Sequence, residues 1–433
     1  IYAFGDHSPL TLSSYGDSFD NTATDSGGDV YLKAGLDELI ASFKQDVFYG
    51  TVSLSGGSGG ALYAQVYGSG GYVDLDLVDD SFTQNQGYNG GAIYLLAAGS
   101  DSSLRADLEG NVIYSPWAKD NGGGLMLYGM DSGTVNAYLT NNYFLYGDAS
   151  TSGGAIYAVS GGGSGGGKSL ASLKNNTFYL NNASKGGGLY AAAGSAGTTD
   201  INIINTILWG NTGTTGADIY LDEDDTPTDS TVDVDVSYSD VGDVYNSGGT
   251  YTAGDGNRNE DPQLADPDHQ DYRLAAASPM IDRGRCGNWV YLYPPGEMIY
   301  MRSAPYFDFE GERRPGYGEE TGCDIGADEF HPHRYVGLGG DDTGNDCSLA
   351  HTPCRTIQHT LGEAVDGDVL VLSRGVYDED VYMDYSKTLT LRGGYSSNFM
   401  FPGTPGFVVG GDDPWVTTLN GILTVSQGSL CTE

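Results

Sequence analysis

A short phrase, glycine followed by an aliphatic residue and usually a tyrosine, returns seven times in the first half of this chain at almost constant spacing. It reads Gly-Gly-Asp-Val-Tyr at 27–31, Gly-Gly-Ala-Leu-Tyr at 59–63, Gly-Gly-Ala-Ile-Tyr at 90–94, Gly-Gly-Gly-Leu-Met at 122–126, Gly-Gly-Ala-Ile-Tyr at 153–157, Gly-Gly-Gly-Leu-Tyr at 186–190 and Gly-Ala-Asp-Ile-Tyr at 216–220. The aliphatic member falls at Val30, Leu62, Ile93, Leu125, Ile156, Leu189 and Ile219, separated by 32, 31, 32, 31, 33 and 30 residues. So even a period marks a repeat architecture in which each unit stacks on its neighbour and buries a shared core.

A second column keeps the same register. Phe19, Phe48, Phe82, Ile113, Phe144, Phe178 and Ile207 recur, and two places before each stands Asp17, Asp46, Asp80, Asn111, Asn142, Asn176 or Asn205. Asn and Asp tolerate left-handed backbone and bond main chain at bends, and stacked amides bond one another, so these seven are expected to form a ladder at a turn. A third apolar stretch precedes each, as in Val135–Leu139 and Leu170–Leu173. The apolar spacing is two and the breaks are glycine, which leaves no room for a helix. Each unit therefore predicts three short strands, and stacked units predict an all-β parallel β-helix with coils of about 31 residues, rising ~4.8 Å per coil. By alternation the aliphatic column faces inward and Tyr31, Tyr63, Tyr94, Tyr157, Tyr190 and Tyr220 face outward as an aromatic strip, broken by Met126.

Charge narrows the partners. The 433 residues include 68 glycines, 32 tyrosines, 58 acidic and 19 basic side chains, for a net charge of −39. Such a surplus repels phosphate backbones and anionic lipid, which excludes nucleic acid as a partner. No run approaches the ~18 apolar residues of a membrane span.

The Gly-Gly-Ala-Ile-Tyr units with their preceding Asn-x-Phe resemble the repeats of polymorphic outer membrane proteins and related right-handed, pectin-lyase-like β-helices of bacterial surfaces. Ser278–Gly284, Asp308–Pro315 and Asp324–Phe330 resemble the segment that closes such helices in large secreted proteins with varied anchors. Tyr335–Asp342, Cys347–Cys354 and Thr356–Val365 resemble the way a pectin-lyase-like helix begins. Within the last, Ile357, Leu361, Ala364 and Val365 have helical spacing and Thr356 suits an N-cap. The expected organisation is a β-helix over 1–235, a closing segment over 236–330, and the start of a second β-helix, with a short capping helix, over 331–433. The resemblance implies an extracellular or cell-surface location. Ile1-Tyr2-Ala3 occupies the aliphatic-Tyr-Ala columns, so the chain starts inside a coil and stops inside another. Either it is a window on a longer protein, or copy follows copy head-to-tail or in tandem, which grows a fibre.

Pectin-lyase-like folds include lyases and glycoside hydrolases, so catalysis must be weighed. Lyases of this kind need a carboxylate-bound calcium and a base, yet residues 1–235 hold only Lys33, Lys44, Arg105, Lys119, Lys168, Lys174, Lys185 and His7, which recur in no column. Asp79-Asp80 is a candidate hydrolase pair, but Asp80 belongs to the turn ladder. The expectation is a structural rod or repeating extracellular filament subunit with an adhesive role and no catalytic residues; the alternatives are a carbohydrate-active enzyme of the same fold and a glycan-binding adhesin using the outer tyrosines. Weak calcium candidates are Asp255, Asn257, Asn259 and Asp261, and the cluster Asp222, Asp224 and Asp225; the ordinary reading of both is a solvated acidic surface. Cys347 with Cys354, and Cys286 with Cys323, are candidate disulfides, which suits an oxidising exterior; Cys431 is left over.

Overall fold

A computed structural model of the chain describes all residues except 6–8, 21, 24–25, 54–55, 163–164, 224–228, 293–296, 316–320, 384–386, 398, 400–406, 410–416, 426–428 and 433, and describes backbone alone over 22–23, 289–292, 297–300, 321, 407–409 and 431–432. It is a parallel β-solenoid followed by a loop-rich part, in two compact units: 1–262 with 279–329, and 263–278 with 330–433.

In the first unit, successive coils contribute one strand each to shared parallel sheets. A nine-stranded sheet runs from Tyr2–Gly5 through Ile93–Ala98 to Val244–Asn246 and carries the tyrosine column. A second, also nine-stranded, runs from Leu10–Tyr15 through Tyr72–Val78 to Thr250–Ala253, and a third, eight-stranded, from Ser18–Phe19 through Ser81–Thr83 to Asp240–Val241. In these three sheets register is kept from coil to coil: Ile93 lies between Leu62 and Leu125, and Leu75 between Ala41 and Ala106.

Alternation explains which side faces in. Val73, Leu75 and Leu77 are fully buried while Asp74 and Asp76 between them point out. The third sheet feeds the core with rings, Phe48 stacked on Phe82 at 4.6 Å and Phe144 on Phe178 at 4.7 Å. Parallel pairing sets coils one strand spacing apart, which brings like rings into offset contact.

The structure adds to the expected three strands a fourth, six-stranded sheet of very short strands, among them Gln86–Gly87, Trp117–Ala118 and Asn182–Lys185. These escape an apolar pattern because only small side chains, Ala118, Ala149 and Ala183, turn inward there. The solenoid also continues beyond 235, since Asp240–Val241, Val244–Asn246 and Thr250–Ala253 pair onto the preceding coil.

Paired glycines meet two separate demands. Gly90 has φ +58, a left-handed conformation that a β-carbon strains. Gly91 does not, but a β-carbon there would lie 2.1 Å from the Gly123 carbonyl oxygen of the next coil. Backbone meets backbone at this corner, and neither can retreat. Gly91→Ala is therefore expected to destabilise by about 3 kcal/mol or more through overpacking, measured by urea unfolding; a loss under 1 kcal/mol contradicts this packing.

Residues 236–330 do not form one closing segment. Residues 279–329 lie along the flank of the solenoid: Asn175 Nδ2 donates to the carbonyls of Asp324 (3.0 Å) and Gly326 (3.1 Å), and Asn141 Nδ2 to that of Phe307 (2.8 Å). Residues 263–278, an antiparallel pair Leu264–Asp266 and Asp271–Leu274 around the 3-10 turn Pro267–His269, group with the second unit.

In that unit a parallel sheet joins His333–Val336, Val369–Ser373, Thr388–Tyr395 and Ser429–Thr432. The helix Ile357–Glu363 starts where expected, with Thr356 Oγ1 accepting from His359 N–H. Glu379 adds a second cap, its carboxylate accepting from the N–H groups of Ile357 (2.8 Å) and Gln358 (2.9 Å). Ile357, Leu361 and Ala364 enter the core beside Val336, Leu370 and Leu391. Val365 does not: Ala364, just past the helix end, is extended, and Val365 is 53% exposed.

Candidate functional site

Axial ladders and the faces outside them are the features every coil repeats. The inner ladder begins as the spacing predicts. Backbone N–H of Asp46 donates to Asp80 Oδ1 (2.8 Å), that of Asp80 to Asn111 Oδ1 (2.9 Å), that of Asn111 to Asn142 Oδ1 (2.9 Å), and that of Asn142 to Asn176 Oδ1 (2.9 Å), with Asp17 N–H on Asp46 Oδ1 (2.6 Å). Each Asn also donates backwards, Asn111 Nδ2 to the Leu77 carbonyl and Asn142 Nδ2 to that of Leu108, both at 2.9 Å.

Two details differ from expectation. The left-handed residue is the one before each rung, Gln45, Asp79, Asn141 and Asn175 among them. The rung after Asn176 is Thr206, whose Oγ1 accepts from Asn176 N–H (3.3 Å), and the ladder continues through Ser239 and Asn257. Asn205 belongs to the outer, left-handed column, where its amide exchanges bonds with the backbone of Arg285 at 2.7 and 2.9 Å. Threonine and serine interrupt a ladder that looked purely Asn/Asp because Ile207 and Leu208 are both aliphatic, and hydropathy cannot say which aligns with Phe178; the pairing of Phe178 with Leu208 decides.

A second ladder has no counterpart among the expected columns. At the next corner Asn181 N–H donates to Asn211 Oδ1 (3.0 Å), Gly147 N–H to Asn181 Oδ1 (2.8 Å), and Asn85 Nδ2 to the Phe48 carbonyl (3.1 Å). Asn85, Asn181 and Asn211 each stand three residues after a residue of the phenylalanine column or its aligned Leu208, a spacing that was available in the sequence.

The tyrosine strip points away from the coil interior, yet most of it is not a free surface. Tyr31, Tyr63 and Tyr94 stack at 5.0 Å, and Tyr157, Tyr190, Tyr220 and Tyr245 at 4.9 to 5.2 Å, with Met126 filling the gap. Ring faces are thereby occupied by other rings, and Tyr94 is only 8% exposed. Burial pushes the Tyr157 hydroxyl up to about 12 and raises those of Tyr63 and Tyr94 as well. Tyr94→Ser is expected to lower stability by about 3 kcal/mol, read as a drop in melting temperature. A platform that docks sugar rings by their faces would instead lose ligand with melting unchanged.

Outward residues of the second sheet make a denser group. Asp74 faces Arg105, and Asp76 faces Asp107, in neighbouring strands. The Arg105 guanidinium binds Asp74 Oδ1 at 2.9 Å, reaches Asp107 Oδ2, and lies 5.5 Å from the Tyr138 ring centre. Partial burial, then Asp74 and Asp107, raise the pKa of Asp76. Arg105 offsets only part of the charge of three carboxylates at a half-exposed surface, and pairing there is worth little to stability.

On the flank, Arg314 is fully buried and binds Glu329 Oε2 at 2.6 Å and the carbonyls of Ala327 (2.9 Å) and Gly326 (3.1 Å). Asp308 accepts from the N–H groups of Glu310, Glu312 and Glu329. Thus Asp308–Pro315 and Asp324–Phe330, singled out separately in sequence, form one buried polar hub that fastens the flank.

Of the calcium candidates, Asn257 is a ladder rung: its Oδ1 accepts from Ser239 N–H and its Nδ2 donates to the Val236 carbonyl. Asp222 accepts from the Tyr190 hydroxyl and lies 3.7 Å from Lys185 Nζ. Asp224 and Asp225 lie outside the described residues. No bond to a ladder or tyrosine partner involves the side chains of Asp255 or Asn259 among the described residues. Cys286 is bonded to Cys323 and Cys347 to Cys354, while the Cys431 side chain lies outside the described residues. No helix among the described residues is long and apolar enough to cross a membrane. Comparison with protein-family models, with curated proteins and with solved structures found no match.

Proposed function

We propose that this chain is a secreted or cell-surface structural β-helix, a stiff rod that repeats head-to-tail or in tandem as an extracellular filament with an adhesive role. The observation that carries this reading is the unbroken inner ladder, with a hydrogen bond at every coil from Asp17 to Asn257. Bending the rod would lengthen several buried axial bonds at once, so the ladder makes it stiff. Two disulfides suit an oxidising compartment, and the −39 charge suits a solvated exterior. The likeness of the repeats to those of polymorphic outer membrane proteins and other pectin-lyase-like surface proteins supports the same location.

Negative-stain microscopy of native material is expected to show filaments or rods longer than one solenoid, and dispersed single solenoids would refute the repeating assembly.

A second reading rests on Asp74, Asp76, Arg105 and Asp107, a mixed-charge group on an open sheet face that suits the hydroxyls of a glycan. Glycan binding is expected to weaken in Arg105→Ala with melting unchanged, and cleavage products from a uronan and neutral glycan panel would make the protein an enzyme. Calcium at Asp255, Asn259 and Asp261 is a separate proposal; calorimetry with calcium on metal-free protein tests it.

A further inference from the structure

The second unit brings together three side chains that the solenoid's regularities do not use. Asp266 immediately precedes the 3-10 turn of the 263–278 hairpin, His269 is the last residue of that turn, and His351 lies in the loop closed by Cys347–Cys354. Asp266 Oδ2 receives both imidazoles by the same atom, His269 Nδ1 at 2.8 Å and His351 Nδ1 closer still. The two rings lie 3.9 Å apart and within 9° of parallel. One donor atom from each of the three residues lies within 4.8 Å of the others. Asp266 precedes the turn without capping it, so no backbone duty explains its carboxylate.

From this geometry we infer a binding site for a borderline divalent transition metal, with zinc as the representative ion, held by Asp266, His269 and His351. Two imidazoles and one carboxylate are a donor set for zinc, copper or nickel and a poor one for calcium, which takes oxygen. Zinc binds such nitrogen and oxygen atoms at about 2.0–2.2 Å. Tetrahedral donors at that radius stand roughly 3.4 Å apart, so opening the stacked rings by small side-chain rotations suffices. Three protein ligands leave one position for water. Both imidazoles are partly exposed, at 54% and 30% of the side chain, and the ion enters directly from solvent.

The ion would act as a clip. It fastens a hairpin to a loop about 80 residues further along the chain, as a metal-ligand bond does when it closes a long loop. The cation–π contact of Arg273 with Tyr335, at 4.7 Å, ties the same hairpin to the strand His333–Val336. A second cluster, Cys347, Cys354 and His359, cannot compete while its two sulfurs are bonded to each other.

The test is calorimetric titration of zinc chloride into the EDTA-treated full chain, with a thermal melt at each zinc level. Expected are one saturable zinc per chain, a melting rise on binding, no competition by excess calcium, and at least tenfold weaker binding in each of His269→Gln and His351→Gln. Because these are partly exposed side chains, both variants should keep the metal-free melting temperature. His331→Gln/His333→Gln is expected to bind as the parent does. Absence of saturable uptake, uptake surviving in His269→Gln/His351→Gln, or loss of uptake only in the His331/His333 variant would each overturn the site.

Discussion

Asp80→Asn is expected to stabilise the protein at pH 7 by about 2–4 kcal/mol, an unusual gain for a fully buried position. Asp80 holds a place in the ladder where the next three coils carry Asn. Its Oδ1 accepts from Asp46 N–H as an amide oxygen would, but its Oδ2 is buried with no hydrogen-bond partner. In the neighbouring coils an amide nitrogen fills that position and donates to the Leu77 or Leu108 carbonyl; by the register Leu77 to Phe43, the counterpart for Asp80 is the Phe43 carbonyl. A carboxylate there meets an acceptor with an acceptor. Burial first, then the nearby Asp46 and Asp79 charges, pushes the Asp80 carboxyl up to about 8 against a usual 3.8. The folded chain therefore holds a proton that the unfolded chain releases. Stability from this group is full below pH ~4 and is lost as pH rises through about 8. Denaturant unfolding at pH 4, 6 and 8 should show the variant's advantage growing with pH and closing to within about 1 kcal/mol at pH 4. An advantage that is constant with pH, or a variant weaker at pH 8, would show that Asp80 carries no such proton. Asp46, also buried and raised by burial, acts in the same direction.

Asn142→Leu is expected to produce the largest loss, about 3–6 kcal/mol, and to melt the solenoid at much lower denaturant. Asn142 Oδ1 accepts from both the N–H and the Nδ2 of Asn111, and its Nδ2 donates to the Leu108 carbonyl and to Asn176 Oδ1. Leucine, close to it in volume, takes the side-chain acceptor from the buried Asn111 N–H and the side-chain donor from the Leu108 carbonyl, and removes one of two bonds from Asn111 Nδ2 and Asn176 Oδ1, so the cost is desolvation rather than a cavity. Asn142→Asp separates the two. It keeps the accepting oxygen, so it should be weak at pH 7 and recover toward pH 4 as the carboxyl takes its proton. Failure to recover in acid would mean that shape, and not the donor hydrogen, governs the rung.

Much of this was legible in one dimension because a solenoid repeats in one dimension. The Gly-Gly-aliphatic-Tyr phrase locates the strands at Val30, Leu62, Ile93 and their successors, and the inner Asn and Asp positions as far as Asn176 are where the phenylalanine column puts them. Fourth-sheet strands such as Trp117–Ala118 were illegible, since two residues with an inward alanine show no period. Asn205 was misplaced by one residue because two adjacent aliphatic residues offered equal alignments. The candidate site was less legible. Arg314 lies in the Asp308–Pro315 motif, but its pairing with Glu329 gave no signal in sequence, and nothing in residues 263–351 announces that two histidines 82 positions apart stack on one another.

The sequence by itself determined the fold class, the coil length, the inward and outward columns, the two cysteine pairs and the start of the short helix. Each follows from local spacing, because strand alternation, capping and close cysteines act over a few residues or one coil. Only the tertiary structure decided that the tyrosine rings hide one another's faces, that 279–329 lies along the flank, and that burial pushes the Asp80 carboxyl up. The physical reason is common to all three. Exposure, desolvation and the partner of a buried polar atom depend on what packs from the adjacent coil or from a segment more than a hundred residues away, and no column of like residues records it.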